Sequence, residues 1–217
     1  MTPFRLVVFD LDGTLIDSRR DIADSANALI ASCGGRPLPD ADIGRMVGDG
    51  AATLVARAFV AAGLTAPPDA LDRYLALYRE RLLVHTRPYP GIVHVLGVLR
   101  SRATLAVLTN KPLAPTLEIL DGLGLSSFFP AHLVVGGDGP FPRKPDPAGL
   151  QHLQTLTGAD ARTALLVGDS LIDWKTGRAA GTPICLVRYG FGFEGVPADS
   201  FGPDNWQIDA PGELLAL

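Results

Sequence analysis

The chain has 217 residues, of which 47% are hydrophobic, and a formal net charge of −4. A chain of this length and composition can build one good core with at most a smaller appended module. Its weakly acidic balance gives no electrostatic reason to expect nucleic acid or an anionic membrane as a partner.

Targeting and cysteine patterns favour a cytoplasmic protein. Asp10 and Asp12 interrupt the apolar N-terminal run before it could form a signal-peptide core. No stretch approaches the roughly 18 apolar residues of a membrane span. Cys33 and Cys185 are far apart and in no Cys-x-x-Cys pattern, so we expect two free thiols. The sequence leaves monomer and homodimer open.

The first predicted element is a buried strand that ends in a sharp acidic turn. Residues 4–9 form a short apolar run, and Asp10-Leu11-Asp12-Gly13-Thr14 follows. Alternate side chains of an extended segment point the same way, so Asp10 and Asp12 should project together beyond the strand. Two carboxylates side by side at the mouth of an apolar sheet need a cation or a shared proton. The turn therefore suits a site for a divalent metal and a phosphate.

Residues 15–87 carry helix signals and no strand signal. Periodicity and turn residues predict helices at about 17–33, 40–47, 51–62 and 69–84. The turn Gly48-Asp49-Gly50 separates the second helix from the third. We interpret residues 15–87 as an all-helical cap domain inserted after the first strand.

From residue 88 onward helix and strand signals alternate. Strands are predicted at 104–108, 133–135, 164–167 and 184–187, and helices at about 92–101, 113–123, 146–156 and 171–180. This order predicts an α/β fold: a doubly wound, mostly parallel, Rossmann-like sheet built from residues 1–14 and 88–217. Ligands of such sheets bind at the carboxyl ends of the strands, where the polar segments of this chain lie. The Gly/Pro-rich tail after residue 188 carries little signal.

Four segments, each closing a strand or opening a helix, resemble the ordered motifs of the haloacid dehalogenase superfamily. They are Phe9-Asp10-Leu11-Asp12-Gly13-Thr14, Leu108-Thr109-Asn110, Arg143-Lys144-Pro145-Asp146-Pro147 and Gly168-Asp169-Ser170-Leu171-Ile172-Asp173. The resemblance covers nearly the whole chain and, within the superfamily, is greatest to the phosphoglycolate phosphatases.

The resemblance implies a Mg²⁺-dependent phosphomonoester hydrolase that acts through an aspartyl phosphate. It makes Asp10 the nucleophile and Asp12 the general acid and base. Asp10, the backbone carbonyl of Asp12, and Asp169 would bind the metal, because Mg²⁺ prefers oxygen ligands. Asp173, one helical turn beyond Asp169, would hold metal-bound water or a lysine.

The same resemblance implies the groups that bind the substrate, a small phosphate ester. Thr109 and the backbone N–H of Asn110 would bind the phosphoryl oxygens, and Lys144 would supply positive charge. On the cap side, the Gly48–Gly50 turn opens a helix whose free N–H groups favour a small anion. We hypothesise that this turn, with Arg45 as a further contact, faces the carboxylate of 2-phosphoglycolate.

Residue types distinguish this chain from other members of the superfamily. The superfamily's dehalogenases lack an acid at the position of Asp12, so phosphoryl transfer is favoured over dehalogenation. A phosphonatase would need a cap lysine, which residues 15–87 do not contain, and this alternative is therefore rejected. A β-phosphoglucomutase-like mutase is weakened because no Arg or Lys follows Gly50 before Arg57. A pyrophosphatase or a broad-range sugar-phosphate or nucleotide phosphatase is the main alternative. A non-catalytic phosphate-binding module is the alternative from another class.

Overall fold

A parallel sheet lies at the centre of the computed structural model, which describes residues 4–193, 195–197 and 205–217. The strands in the described residues are β1 (Leu6–Phe9), β2 (Ile16–Asp17), β3 (Arg87–Pro88), β4 (Thr104–Leu108), β5 (Val134–Val135), β6 (Ala164–Gly168), β7 (Ile184–Val187) and β8 (Asn205–Ile208). Six of them form one sheet in the order β5-β4-β1-β6-β7-β8, and every neighbouring pair is parallel. The predicted fold class is confirmed.

Strand β1 occupies the middle of this sheet and is buried on both faces. Val7 and Phe9 pack into the cluster on one side, whereas Leu6 and Val8 pack into the cluster on the other. Burying such a side chain contributes about 1.5–3 kcal/mol, so the apolar run of β1 has a strong reason to form a central strand. The chain first builds β4 and β5 on one side of β1 and then crosses to β6 on the other side. The carboxyl end of β1 therefore lies where the strand order reverses.

The described residues contain eight α-helices. They are α1 (Arg19–Ser32), α2 (Asp40–Gly44), α3 (Ala51–Ala61), α4 (Ala70–Arg79), α5 (Ile92–Leu99), α6 (Leu113–Gly122), α7 (Ala148–Thr157) and α8 (Leu171–Ala180). Helices α5–α8 pack on the sheet, whereas α1–α4 pack on one another. Helix α4 ends at Arg79, five residues before the predicted end at 84. Beyond it, turn hydrogen bonds such as that from the Val84 N–H to the Arg81 carbonyl replace the helical pattern. Helices α1–α4 lie between β2 and β3. The division of the chain into core and cap domains stays a prediction.

Two short strands correct the prediction that residues 15–87 contain no strand. Ile16 pairs with Pro88 and Asp17 with Arg87 in an antiparallel ladder. A two-residue strand is too short to show alternation, and a proline in its partner argues against strand from sequence alone. The ladder brings the two connections of the helical segment side by side.

The tail also contains structure that its composition does not indicate. Strand β8 extends the sheet beside β7, and Trp206 packs edge to face on Phe4, with ring centroids 5.9 Å apart. Trp206 and Ile208 alternate with Asn205 and Gln207, but a four-residue alternation is too short to predict a strand by itself, and pairing with β7 fixes its place in the sheet.

Two further expectations concern cysteines and membrane spans. Cys33 and Cys185 are both free thiols, as predicted. Among the helices of the described residues, none combines the length and hydropathy needed to cross a membrane.

Asp21 of α1 anchors the helical segment to the chain that returns to the sheet. Its carboxylate is 1% exposed and accepts hydrogen bonds from the backbone N–H groups of His85 and Thr86 and from the Thr86 hydroxyl, the last two at 2.7 Å. A carboxylate that accepts several buried donors is costly to remove, because the donors lose their partner.

We expect Asp21→Ala to lower the free energy of unfolding by about 2–4 kcal/mol, measured by urea titration. Asp24→Ala is the matched control, because Asp24 lies on the same helix, is partly exposed and pairs only loosely with Arg20, at 3.7 Å. Its effect should stay below about 1 kcal/mol. Equal losses in the two variants would contradict the anchoring role.

Candidate active site

The carboxyl ends of β1, β4 and β6 open into one cavity between the sheet and helices α3 and α4. The structure brings seven of the nine sequence-predicted site residues to its lining: Asp10, Asp12, Gly48, Thr109, Asn110, Lys144 and Asp169. The other two, Asp173 and Arg45, do not line the cavity.

Lys144 lies between two carboxylates at the bottom of this site. Its Nζ is 2.8 Å from Asp10 Oδ1 and 2.6 Å from Asp173 Oδ1. Burial alone would lower the pKa of Lys144, but the charges of Asp10 and Asp173 raise it above its usual value. The lysine therefore stays charged and fixes the position of the Asp10 carboxylate.

Asp173 is held in place from its other side. Its Oδ2 accepts hydrogen bonds from the Ser170 backbone N–H at 3.1 Å and the Ser170 hydroxyl at 2.6 Å, in the capping box that begins α8. Both oxygens of Asp173 are thus engaged, one by Lys144 and one by Ser170. Its contacts suit a residue that orients Lys144.

Asp169 is held by the segment that follows β7. Its Oδ2 accepts hydrogen bonds from the backbone N–H groups of Phe191 at 2.9 Å and Gly192 at 2.8 Å. Gly13 packs against the same carboxylate: its φ is +87°, and a Cβ there would lie 2.2 Å from Asp169 Oδ2. Glycine at position 13 is therefore required both by the backbone conformation and by the close approach of Asp169.

Asp10, Asp169 and Asp173 form a cluster that could hold a metal ion. Their carboxylate oxygens lie within 4.8 Å of one another, and all three residues are buried. The pKa of Asp10 is raised to about 7, and burial is the largest cause. The charges of Asp173 and Asp12 add to the effect of burial, and Lys144 offsets these effects only partly. Burial and the two neighbouring acids also raise the pKa of Asp169. The single positive charge of Lys144 therefore does not neutralise the three carboxylates. A divalent cation, which prefers oxygen ligands, would supply the missing positive charge.

Asp12 lies outside this cluster and has its own partners. Its Oδ1 accepts a hydrogen bond from the Ser18 hydroxyl at 2.5 Å and lies 3.0 Å from Lys111 Nζ. Lys111 Nζ also donates to the Tyr78 hydroxyl at 2.5 Å. Burial raises the pKa of Tyr78, so the phenol keeps its proton. Asp10 and Asp12 thus lie in the same turn, but Asp10 pairs with Lys144 and Asp12 pairs with Lys111.

Thr109 and Asn110 form the turn that follows β4. The Asn110 side chain holds the neighbouring loop: its Oδ1 accepts from the Lys144 backbone N–H at 2.8 Å, and its Nδ2 donates to the Lys144 carbonyl at 3.0 Å. The Thr109 hydroxyl accepts from the Lys111 backbone N–H at 3.2 Å. Because the Asn110 side chain is occupied, its backbone N–H is the group of this residue left to face the cavity.

The two cap-side candidates have different outcomes. The Gly48 carbonyl accepts from Asn110 Nδ2 at 2.8 Å, so the turn at 48–50 lies against the core site. Arg45 does not line the cavity, and its guanidinium contacts Asp42, three residues earlier on the same exposed surface. A local partner within the same helical turn therefore keeps Arg45 away from the position that the sequence suggested.

The sequence analysis missed three contributors to this site. It gave no role to Lys111 or Ser18 and left the segment after residue 188 without function. Lys111 could have been found, because the chain has only three lysines and this one directly follows Thr109-Asn110. Phe191 and Gly192 contribute backbone N–H groups, which no side-chain pattern indicates.

Comparison with known proteins identifies the class to which this fold and site belong. The family model for haloacid dehalogenase-like hydrolases matches residues 4–181. The phosphoglycolate phosphatase of Rhodospirillum rubrum is 44% identical over 207 residues, covering 91% of this chain and 84% of the relative. The plasmid phosphoglycolate phosphatase of Cupriavidus necator is 38% identical over 219 residues, covering 99% of this chain and 93% of the relative.

Solved structures agree with these relatives. A crystal structure described as a predicted phosphoglycolate phosphatase from Haemophilus somnus superposes with a TM-score of 0.91 at 29% identity, covering 100% of this chain and 98% of that one. The chain therefore belongs to the haloacid dehalogenase-like hydrolases. With its relatives, it is a phosphatase.

Proposed function

We propose that the protein is a Mg²⁺-dependent phosphomonoester hydrolase that acts through an aspartyl phosphate on Asp10, with 2-phosphoglycolate as substrate. The observation that carries the proposal is the separation of the two carboxylates of the β1 turn. Asp10 pairs with Lys144 at 2.8 Å beside Asp169, whereas Asp12 contacts Ser18 and Lys111 outside the acidic cluster. This separation supports a role for Asp10 in attack on phosphorus and a role for Asp12 in proton transfer.

The first step forms the covalent intermediate. A carboxylate oxygen of Asp10 attacks phosphorus, and the bond between phosphorus and the ester oxygen breaks. Protonated Asp12 gives its proton to that oxygen as the alcohol leaves. Ser18 and Lys111 hold the Asp12 carboxyl group in the place where this oxygen would lie.

The second step releases phosphate. Asp12, now a carboxylate, takes a proton from a water molecule that attacks phosphorus of the aspartyl phosphate. The bond between phosphorus and the Asp10 oxygen breaks, which restores the Asp10 carboxylate and the protonated Asp12. Lys144, the Thr109 hydroxyl and the Asn110 backbone N–H would bind the phosphoryl oxygens in both steps.

The acidic cluster would hold Mg²⁺ through Asp10 and Asp169. Both oxygens of Asp173 already have protein partners, which leaves the other two carboxylates and the Asp12 backbone carbonyl as the direct ligands. When bound, the ion neutralises charge on the phosphoryl group and on Asp10.

The substrate assignment is supported by the relatives' names and by the cavity walls. Apart from the polar residues described above, the wall formed by the helical segment is mainly apolar, with Val47, Leu54 and Leu75. The N-terminus of α3 enters the cavity at Gly50 and Ala51, where free backbone N–H groups favour an anion. A short ester with a second negative charge fits these walls better than a bulky sugar.

A phosphate-release screen tests the proposed substrate and metal. The purified protein should hydrolyse 2-phosphoglycolate faster, in kcat/KM, than glucose 6-phosphate, AMP or pyrophosphate. Activity should disappear in excess chelator and return on addition of Mg²⁺, because the buried acids then regain their counter-charge. Higher kcat/KM on pyrophosphate or a sugar phosphate would contradict the substrate assignment, and full activity in chelator would contradict the metal assignment.

The roles of the two turn carboxylates are tested by amide substitutions. Asp10→Asn should reduce kcat on the order of 10⁴-fold or more, because an amide is a poor nucleophile. Asp12→Asn should cost about 10²–10⁴-fold, the usual contribution of a general acid and base. Asp24→Asn, a surface change of the same type, should leave kcat within about twofold of the wild type. Near-wild-type turnover in Asp10→Asn, with deamidation excluded by mass spectrometry, would disprove the nucleophile assignment.

A further inference from the structure

Lys111 lines the cavity and makes contacts that its role of holding Asp12 does not explain. It follows the phosphate-binding turn of β4, and its side chain is 6% exposed. Its Nζ contacts Asp12 at 3.0 Å and the Tyr78 hydroxyl at 2.5 Å, and it lies over the Tyr78 ring, 4.5 Å from the centroid. Burial of an ammonium group is costly, and an ion pair with Asp12 alone does not require a tyrosine from the helical segment.

Lys111 is also the cation left for a second negative charge on the substrate. Among the described residues that line the cavity, the cationic side chains are Lys111 and Lys144. Lys144 already lies between Asp10 and Asp173. An ammonium group has three donors, and Asp12 and Tyr78 account for two of those of Lys111.

We propose that Lys111, oriented by Tyr78, binds the substrate's carboxylate and selects phosphate esters that carry a carboxylate close to the ester oxygen. This inference rests on the proposed function and assigns its specificity to a residue pair from the core and the helical segment. It replaces Arg45, which contacts Asp42 instead.

The distances explain why a short substrate is selected. The leaving ester oxygen would lie at the Asp12 carboxyl group, which protonates it. In 2-phosphoglycolate a single carbon separates this oxygen from the carboxylate. Lys111 Nζ is 3.0 Å from Asp12 Oδ1, so a carboxylate one carbon beyond the ester oxygen comes within reach of the ammonium group. A longer linker would carry the carboxylate past Lys111 towards the apolar wall.

Tyr78 contributes to the same site from helix α4. Its oxygen accepts the hydrogen bond from Lys111, which leaves its own O–H free to donate to a carboxylate. Tyr74 stacks on Tyr78 with ring centroids 5.9 Å apart and an interplanar angle of 5°, which fixes the orientation of the phenol. The carboxylate would therefore receive one charged and one neutral donor.

A matched set of variants tests this inference on two substrates. We would measure kcat/KM for 2-phosphoglycolate and for ethyl phosphate, which has similar size and no carboxylate. Lys111→Met should lose on the order of 10²-fold more activity on 2-phosphoglycolate than on ethyl phosphate. Tyr78→Phe, which keeps the ring, should lose several-fold more on the acid. Lys175→Met removes the same charge from an exposed position on α8 and should change neither value.

Each outcome either supports or overturns the inference. Equal losses on both substrates in Lys111→Met would show that Lys111 only positions Asp12. If that variant does not fold, judged by its thermal melting curve, Tyr78→Phe decides: an unchanged preference for the acid overturns the inference. A wild-type enzyme that hydrolyses 2-phosphoglycolate no better than ethyl phosphate overturns the proposed substrate as well. If Lys111→Met and Tyr78→Phe both keep the wild-type preference for 2-phosphoglycolate over ethyl phosphate, the proposed carboxylate site is wrong and the proposed substrate is unaffected.

Discussion

The structure depends most on the balance of charge at the carboxyl end of β1. Asp10, Asp169 and Asp173 bring three carboxylates within 4.8 Å of one another in a buried position, and Lys144 bridges two of them. At an effective dielectric constant of about 20, a single ion pair at ~4 Å contributes about 4 kcal/mol before desolvation. One lysine therefore leaves an excess of negative charge. Burial, to which the charges of Asp173 and Asp12 add, raises the pKa of Asp10 to about 7. The excess of negative charge makes the site suitable for a divalent cation.

This balance requires residues from distant parts of the chain. The parallel sheet places the ends of β1, β4 and β6 at one edge, because all three strands run in the same direction. The loop before α7 supplies Lys144, and Asn110 fixes that loop through bonds to both backbone groups of the lysine. The helical segment closes the site from above through Gly48 and Tyr78. In the proposed mechanism the phosphoryl group would therefore bind at the sheet edge, whereas contacts to the rest of the substrate would come from both the sheet and the helical segment.

Much of this arrangement could be predicted from sequence because it depends on local patterns. Strands β4 and β7 and helix α8 occupy the predicted residues, and the polar residues after β1, β4 and β6 meet as expected for a parallel sheet. The exceptions depend on long-range contacts. Strand β8 forms by pairing with β7, and the donors to Asp169 are backbone groups of Phe191 and Gly192. Lys111 and Tyr78 are 33 residues apart, so no short-range spacing indicates their bond.

The central claim is that Asp10 becomes phosphorylated during turnover. The direct measurement is to mix the enzyme rapidly with 2-phosphoglycolate and Mg²⁺, quench with acid, reduce the acyl phosphate with borodeuteride and locate the product by peptide mass spectrometry. The mechanism predicts that position 10 is converted to deuterated homoserine and that no conversion occurs without substrate. Conversion at another acid, or none at position 10 while phosphate is being released, would contradict the mechanism.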